Sequence, residues 1–245
     1  MRKLSFILLA AIAISGCKGK RAANYQDSIN ASTEKPGEWI DLLADTTMAG
    51  WHTYGKGAVG SSWKLKDGEL HLNASKKAEW QSAGGGDIVT NDEYENFDLK
   101  AEWKISRAGN SGIMFYVHED TSKYKYPWQT GPETQIADNL ENEDGKLIKH
   151  RAGDLYDMMS IDKEIVNKAG SWNKTEVIAN KGKLTILINH EVVLQTSMWD
   201  TKWNKLIVGS KFKEWPGFGT YKKGHIALQD HGADVWFKNV EIKKL

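Results

Sequence analysis

Apolar and polar residues alternate with a period of two through most of the chain, and no long stretch carries the spacing of an amphipathic helix. Phe97, Leu99, Ala101, Trp103 and Ile105 make one alternating run, Ile113, Phe115 and Val117 a second, and Leu184, Ile186 and Ile188 a third. Each predicts a strand with one buried and one wetter face. Trp63/Leu65 and Leu70/Leu72 flank Lys66-Asp67-Gly68, a hairpin signal with glycine where a positive φ is needed. Asn180-Lys181-Gly182 and Asn189-His190 separate Val177-Ile178, the Leu184 run and Val192-Val193-Leu194 into a three-strand meander. Val235 and Phe237 fall out of phase with Val240 and Ile242. The best helix candidate is short, near Asp162 to Lys168. Many strands with turn signals between them and no crossover helices predict an all-β fold, an antiparallel two-sheet jelly-roll sandwich.

The first residues follow a different pattern. Arg2 and Lys3 precede an apolar run from Leu4 to Ile14, the length of a signal-peptide core and too short to span a bilayer. It ends in Ile14-Ser15-Gly16-Cys17, which resembles the site at which bacterial lipoprotein signals are cut and the cysteine acylated. Residues 1–16 are therefore expected to be a lipoprotein signal, 17–37 an acylated Cys17 with a flexible tether, and 38–245 the folded domain. The expected location is the cell envelope, lipid-anchored at the outer membrane. Lys18-Gly19-Lys20 supplies no acidic export cue, which points toward the periplasmic face.

Composition narrows the partners. The chain has 33 basic and 32 acidic residues, interspersed, so no basic excess is available to neutralise phosphates and no nucleic-acid partner is expected. Loss of Arg2 and Lys3 with the signal leaves the mature chain one charge negative, so acyl chains and not a polybasic patch would hold it to the membrane. Cys17 is the only cysteine, which rules out intramolecular disulfides and cysteine-based metal sites. Neither a short-spaced zinc motif nor a carboxylate-rich calcium loop occurs, Gly84-Gly85-Gly86 lacks the context of a phosphate loop, and Gly-x-Ser-x-Gly is missing. No metal and no cofactor are expected, and the sequence does not indicate an oligomeric state.

Eleven tryptophans are a heavy load. Trp103 is in phase with Leu99 and Ile105 and reads as core, whereas Trp80, Trp128, Trp199, Trp203 and Trp215 lie in polar, loop-like contexts. Exposed indoles stack on the C–H faces of sugars, so such rings suit a carbohydrate cleft; the plain alternative is that they fold back over the sandwich edges.

Polar chemistry is densest between Gly109 and Tyr156. It includes Asn110, His118, the run Glu133-Thr134-Gln135-Ile136-Ala137-Asp138, and Arg151 with Tyr156. On a strand, Glu133 and Gln135 share one face about 6.6 Å apart while Thr134 and Ile136 face the other way. That face is either the floor of a polar cleft or a solvated outer surface. Asp138 has the opposite parity and joins the cleft only if the strand ends or bulges after Ala137. Near the C-terminus, His225-Ile226-Ala227-Leu228 leads into Gln229-Asp230-His231-Gly232, where His231 is an acid/base, a metal ligand or a capped loop histidine.

Taken together, Gly50-Trp51, Gly109-Asn110-Ser111-Gly112-Ile113, Glu133-x-Gln135-Ile136-x-Asp138, Leu155-Tyr156, Trp172-Asn173 and Ile226-x-Leu228-Gln229-Asp230-His231-Gly232 followed by Val235-x-Phe237-x-Asn239 resemble the 3-keto-disaccharide hydrolase family over about residues 38 to 245. The resemblance implies a concanavalin A-like fold and action on glycosides whose C3 hydroxyl has been oxidised to a ketone, with an oxidised carbohydrate as the partner. It also draws Glu133, Gln135, Asp138, Tyr156 and His231 toward the site. Relatives carry an arginine after the Asn-Ser-Gly-Ile strand; this chain has Tyr116-Val117-His118, so His118 or Arg151 is expected to supply that contact.

A ketone at C3 acidifies the C2 proton, so a carboxylate can remove it, the enolate can expel the C1 substituent, and water addition completes a net hydrolysis. The expected base is Glu133 or Asp138, the leaving-group acid His231 or Tyr156. Asn110, Gln135, His118, Arg151, Gln229 and Trp128 are the expected substrate contacts. Two other readings stay open at this point: a two-carboxylate glycosidase using Glu133 and Asp138, and a non-catalytic sugar-binding or structural lipoprotein.

Overall fold

The computed structural model describes residues 37–245. The expected lipoprotein signal, Cys17 and nearly all of the expected tether lie outside the described residues. Fifteen strands form in the order β1 Trp39–Asp41, β2 Trp51–Thr53, β3 Trp63–Lys66, β4 Glu69–Leu72, β5 Lys77–Ala78, β6 Gln81–Ser82, β7 Ile88–Thr90 and β8 Phe97–Ile105, then β9 Asn110–Val117, β10 Glu133–Ala137, β11 Asn173–Asn180, β12 Lys183–Ile188, β13 Glu191–Ser197, β14 His225–Leu228 and β15 Val235–Lys244. The larger sheet runs β13-β12-β11-β8-β15-β4-β3, with β1 also on β15; the smaller runs β10-β9-β14-β7-β2. All their pairings are antiparallel. The architecture is the expected jelly-roll sandwich.

The alternating runs fill the space between the sheets. Phe97, Leu99, Trp103 and Ile105 of β8 are buried against Ile113 and Phe115 of β9, with the Phe97 and Phe115 rings edge-to-face at 6.4 Å. The Trp103 indole N–H donates to the Thr175 hydroxyl at 2.8 Å, so even the polar atom of this ring is satisfied inside the core. The β3–β4 hairpin forms with Lys66 opposite Glu69 and positive φ at both Asp67 and Gly68. The phase break in β15 is a register shift between Lys238 and Glu241, with Asn239 at φ 48°.

Helix placement departs from the sequence expectation. Residues 162–168 form no helix, because the side chains of two asparagines take over the backbone of this segment. Asn189 Nδ2 donates to the Ile165 carbonyl at 2.9 Å, and the Asn167 N–H donates to Asn173 Oδ1 at 2.7 Å. Among the described residues the α-helix is instead α1, Thr201–Val208, capped by Asp200, which accepts from the Trp203 N–H at 2.8 Å. Trp203 is therefore a core ring, with its indole N–H donating to the Gly219 carbonyl, and not a loop ring.

Candidate active site

The smaller sheet carries the site on the face turned away from the core. Strand β10 lies at its edge and is covered by residues 153–156. The Gln135 N–H donates to the Asp154 carbonyl, the Gly153 N–H to the Gln135 carbonyl and the Tyr156 N–H to the Glu133 carbonyl, at 2.9–3.0 Å. With the strand regular through Ala137, Glu133 and Gln135 point into a cleft while Ile136 enters the core. The cleft measures about 230 Å³, room for a single sugar ring, and is bounded by Trp80, Tyr126, Trp128, Phe212 and Lys211. A wider, more open hollow adjoins it, and the two share Asn110, Tyr156 and His231.

Glu133 is 4% exposed. Its carboxylate lies over Gly112 of the neighbouring strand, where a methyl group would meet Oε1 at 1.8 Å, so only glycine leaves room for it. Burial pushes its pKa up to about 8; the Lys211 ammonium works against that rise, and Asp87 and Asp144 add to it. Gln229 Nε2 approaches Glu133 Oε2 at 3.5 Å, and Gln135 Nε2 donates to Asn110 Oδ1 at 3.3 Å. Among the described residues, the side-chain amide oxygens (Oε1) of Gln135 and Gln229 are buried with no hydrogen-bond partner. A buried acceptor left open is costly, and two in one cleft are suited to bind hydroxyl groups.

His231 and Gln229 flank a carboxylate that holds their turn. Asp230 accepts from the Ser82 N–H, the Ser82 hydroxyl, the Gly86 N–H and the Gly232 N–H, at 2.7–3.1 Å, and its own N–H donates to Asp87 Oδ1. Asp87 is buried, which raises its pKa to about 8. The turn presents His231 at the mouth, exposed to solvent, with its ring 5.4 Å from that of Trp80. Desolvation holds this histidine below its usual pKa.

Tyr156 donates its phenol proton to Asp144 Oδ2 at 2.7 Å. Burial and then that bond push its pKa up. Desolvation also acts to raise Asp144, but hydrogen bonds from Tyr156 and His150 outweigh it and hold this carboxylate below its usual range.

Three expected site residues lie elsewhere. Asp138 accepts from the N–H groups of Ala108 at 2.9 Å and Leu140 at 3.2 Å; β10 ends at Ala137, but the Asp138 N–H still donates to the Gly109 carbonyl at 3.0 Å, and its side chain ties these turns together and does not line the cleft. His118 stacks on Tyr221 with ring centroids 4.1 Å apart, away from the cleft lining, since a bulge at Tyr116 (φ 54°) redirects the end of β9. Arg151 donates to the Ser160 hydroxyl and the Ile161 carbonyl and pairs with Asp154, which commits it to closing its own loop. Neither His118 nor Arg151 lines the cleft. Asn110, Gln135, Gln229, Trp128, Glu133, Tyr156 and His231 do converge.

Sequence reasoning did not single out Lys211, Phe212, Tyr126 or Asp144. The only local signal was the cap Ser210, whose hydroxyl accepts from the Phe212 N–H and starts the short turn of residues 211–214. The aromatic wall is built from Tyr126 and Trp128, stacked 13° from parallel at 5.5 Å, with Trp80 edge-on to Tyr126 and Trp215 edge-on to Trp128. Such a wall with a few fixed polar groups opposite is suited to a pyranose. Among the described residues, no three His, Cys, Asp or Glu side chains stand close enough to hold a metal ion.

Comparison with known proteins agrees with this geometry. A 3-keto-disaccharide hydrolase of Bacteroides thetaiotaomicron is 35% identical over 254 residues, covering 96% of this chain and 87% of that protein. A crystal structure from Parabacteroides distasonis, of a protein assigned as a glycosyl hydrolase, superposes with a TM-score of 0.75 at 31% identity over 84% of this chain and 94% of that one. A Bacillus subtilis protein of unknown function with a galectin-like fold shares the architecture at a TM-score of 0.52 and 13% identity, covering 86% of this chain and 97% of its own. The profile of 3-keto-alpha-glucoside-1,2-lyase-like domains matches residues 38–243, and the chain belongs to that family.

Proposed function

We propose that this protein hydrolyses 3-keto-disaccharides and related glycosides by removing the C2 proton, eliminating the C1 substituent and adding water to the resulting enone. The observation that carries the reading is the Glu133 carboxyl, buried at the floor of a one-sugar aromatic cleft beside two unpaired amide oxygens. Family membership and the name of the Bacteroides relative support the substrate class.

Glu133 is the base. An environment that raises its pKa to about 8 makes its carboxylate more basic than an ordinary one, matched to a carbon acid of modest acidity. It takes the C2 proton, and the C–H electron pair becomes a C2=C3 double bond with charge on the C3 oxygen. As that charge returns to carbonyl, a C1=C2 bond forms and the C1–O bond breaks. Water then adds at C1, its proton passing to the group that protonated the leaving oxygen, and Glu133 returns a proton to C2.

In an α-glucoside the C2 hydrogen and the C1 substituent project to opposite faces of the ring, so the proton donor must stand across the sugar from the base. We assign that role to His231, which lines both the cleft and the open hollow and, among the described residues, makes no hydrogen bond to another side chain. Desolvation lowers its pKa and so favours the neutral ring, which can give a ring N–H to the departing oxygen. Tyr156, whose proton is committed to Asp144, positions and does not protonate. With Asp138 fixed in its turn, Glu133 lacks the partner that a two-carboxylate glycosidase would have taken from the sequence.

Turnover of a 3-keto-disaccharide in deuterated water, followed by NMR, tests the chemistry. Elimination and hydration, with the Glu133 carboxyl exchanging with solvent in between, place deuterium at C2 of the released 3-keto sugar; direct displacement at C1 leaves C2 fully protonated. The same reading places the enzyme in the cell envelope, anchored through Cys17 and facing the periplasm.

A further inference from the structure

The reaction above makes negative charge on the C3 oxygen, and the residues assigned to it so far supply no positive charge to meet it. Among the residues lining the cleft there is one cation, Lys211. Its backbone is pinned, because the Lys211 N–H donates to Asp157 Oδ2 at 2.6 Å, and Asp157 follows Tyr156 directly in the chain. Its ammonium lies 4.2 Å from the centroid of the Tyr156 ring and 5.3 Å from that of Phe212.

Among the described residues the Lys211 ammonium makes no ion pair, whereas the basic side chains beside the adjoining hollow do: Arg107 with Glu141 at 2.8 Å and Lys146 with Glu143. Aromatic faces hold a cation and strip part of its water without neutralising its charge. A lysine seated this way keeps its full attraction for an anion that arrives in the cleft. Its field already reaches Glu133, Asp144 and His231.

We propose that Lys211 is a further catalytic residue of this cleft, its ammonium pairing with the C3 oxygen as the enolate forms. The inference rests on the 3-keto-glycoside reading. Before proton transfer the charge sits on Glu133, and afterwards it sits on the substrate oxygen; one cation beside both positions serves each in turn. The C2 proton passes to Glu133, the electron pair moves to O3, and Lys211 exchanges no proton.

The test compares wild type, Lys211→Met and Lys211→Arg on a chromogenic 3-keto-glucoside across pH. A second assay measures C2 hydrogen–deuterium exchange in a 3-keto sugar that lacks a C1 leaving group. Loss of one preorganised oxyanion partner costs roughly 10²–10³-fold in kcat, and Lys211→Met is expected to show a loss of that order with KM changed far less. Exchange at C2 should fall in parallel. The pH profile should also move upward, because the charge that eases ionisation of Glu133 has gone. Lys211→Arg should restore the profile and part of the rate. Full kcat in Lys211→Met, or a loss confined to KM with exchange and pH profile unmoved, would overturn the proposal while leaving the base assignment standing. A wild type that neither cleaves the 3-keto-glucoside nor exchanges C2 would overturn both.

Discussion

The Tyr156 N–H donates to the Glu133 carbonyl at 2.9 Å, and this backbone bond sets the wall of the cleft against its floor. The two side chains then do different things: Glu133 keeps a carboxyl open to the cleft, while the phenol of Tyr156 is tied to Asp144. Tyr156→Phe keeps the ring under Lys211 and removes only the hydroxyl. It is expected to cost about 1 kcal/mol of stability for the lost hydrogen bond and to lower kcat/KM less than roughly ten-fold, since general acid catalysis is worth about 10²–10⁴-fold. A loss in the upper range, measured by steady-state kinetics, would make Tyr156 the leaving-group acid.

Two buried carboxyls give the fold a pH signature. Glu133 and Asp87 each have a folded pKa raised to about 8 by burial. A carboxyl raised on folding binds more protons in the native state, so its contribution is full below the unfolded pKa and is lost as pH rises through the folded one. Thermal stability should therefore fall from about pH 5 to pH 9. Glu133→Gln and Asp87→Asn should each flatten that slope, as followed by calorimetry. A wild-type Tm unchanged over this range would contradict the burial of these groups.

Asp138 is a structural residue on this account. Asp138→Ala removes its bonds to the Ala108 and Leu140 N–H groups, which lie on exposed residues, at about 1 kcal/mol, which for a domain of this size lowers Tm by roughly 2–4 °C. Values of kcat and KM below the new Tm should stay within about two-fold of wild type. A collapse of kcat at unchanged stability would return Asp138 to the chemistry.

The strand alternation made most of the sandwich legible, because a period of two is a local property that burial enforces strand by strand. The placement of Glu133 and Gln135 on one face followed from the same rule, as did the β3–β4 turn at Asp67-Gly68. What local pattern could not give was which loops fall across the sheet. Lys211 enters the cleft through its bond to Asp157, and Tyr156 reaches Glu133 by completing a sheet edge; both are long-range hydrogen bonds without a periodic signature. His118 and Arg151 were misplaced for the same reason, the one turned aside by a bulge at Tyr116, the other engaged by Ser160, Ile161 and Asp154. The expected helix near Asp162 failed because Asn173 and Asn189 offered its backbone other partners.

The proposed anchor has its own test. Acylation at Cys17 should carry the protein into the detergent phase on extraction of whole cells, and Cys17→Ser should move it to the soluble fraction with its cleavage activity intact. Equal partitioning of the two proteins would remove the lipid anchor from the account.

In the proposed mechanism Glu133 abstracts a proton made acidic by a C3 ketone. The most direct measurement is aglycone release from a chromogenic 3-keto-glucoside beside its unoxidised parent, with wild type and Glu133→Gln, from pH 5 to 9.5. Cleavage of the keto form alone is expected, with a kcat/KM that rises with an apparent pKa near 8 and a loss of roughly 10²–10⁴-fold in the variant. Cleavage of the parent at a comparable rate, or full activity in Glu133→Gln with the fold intact, would contradict it.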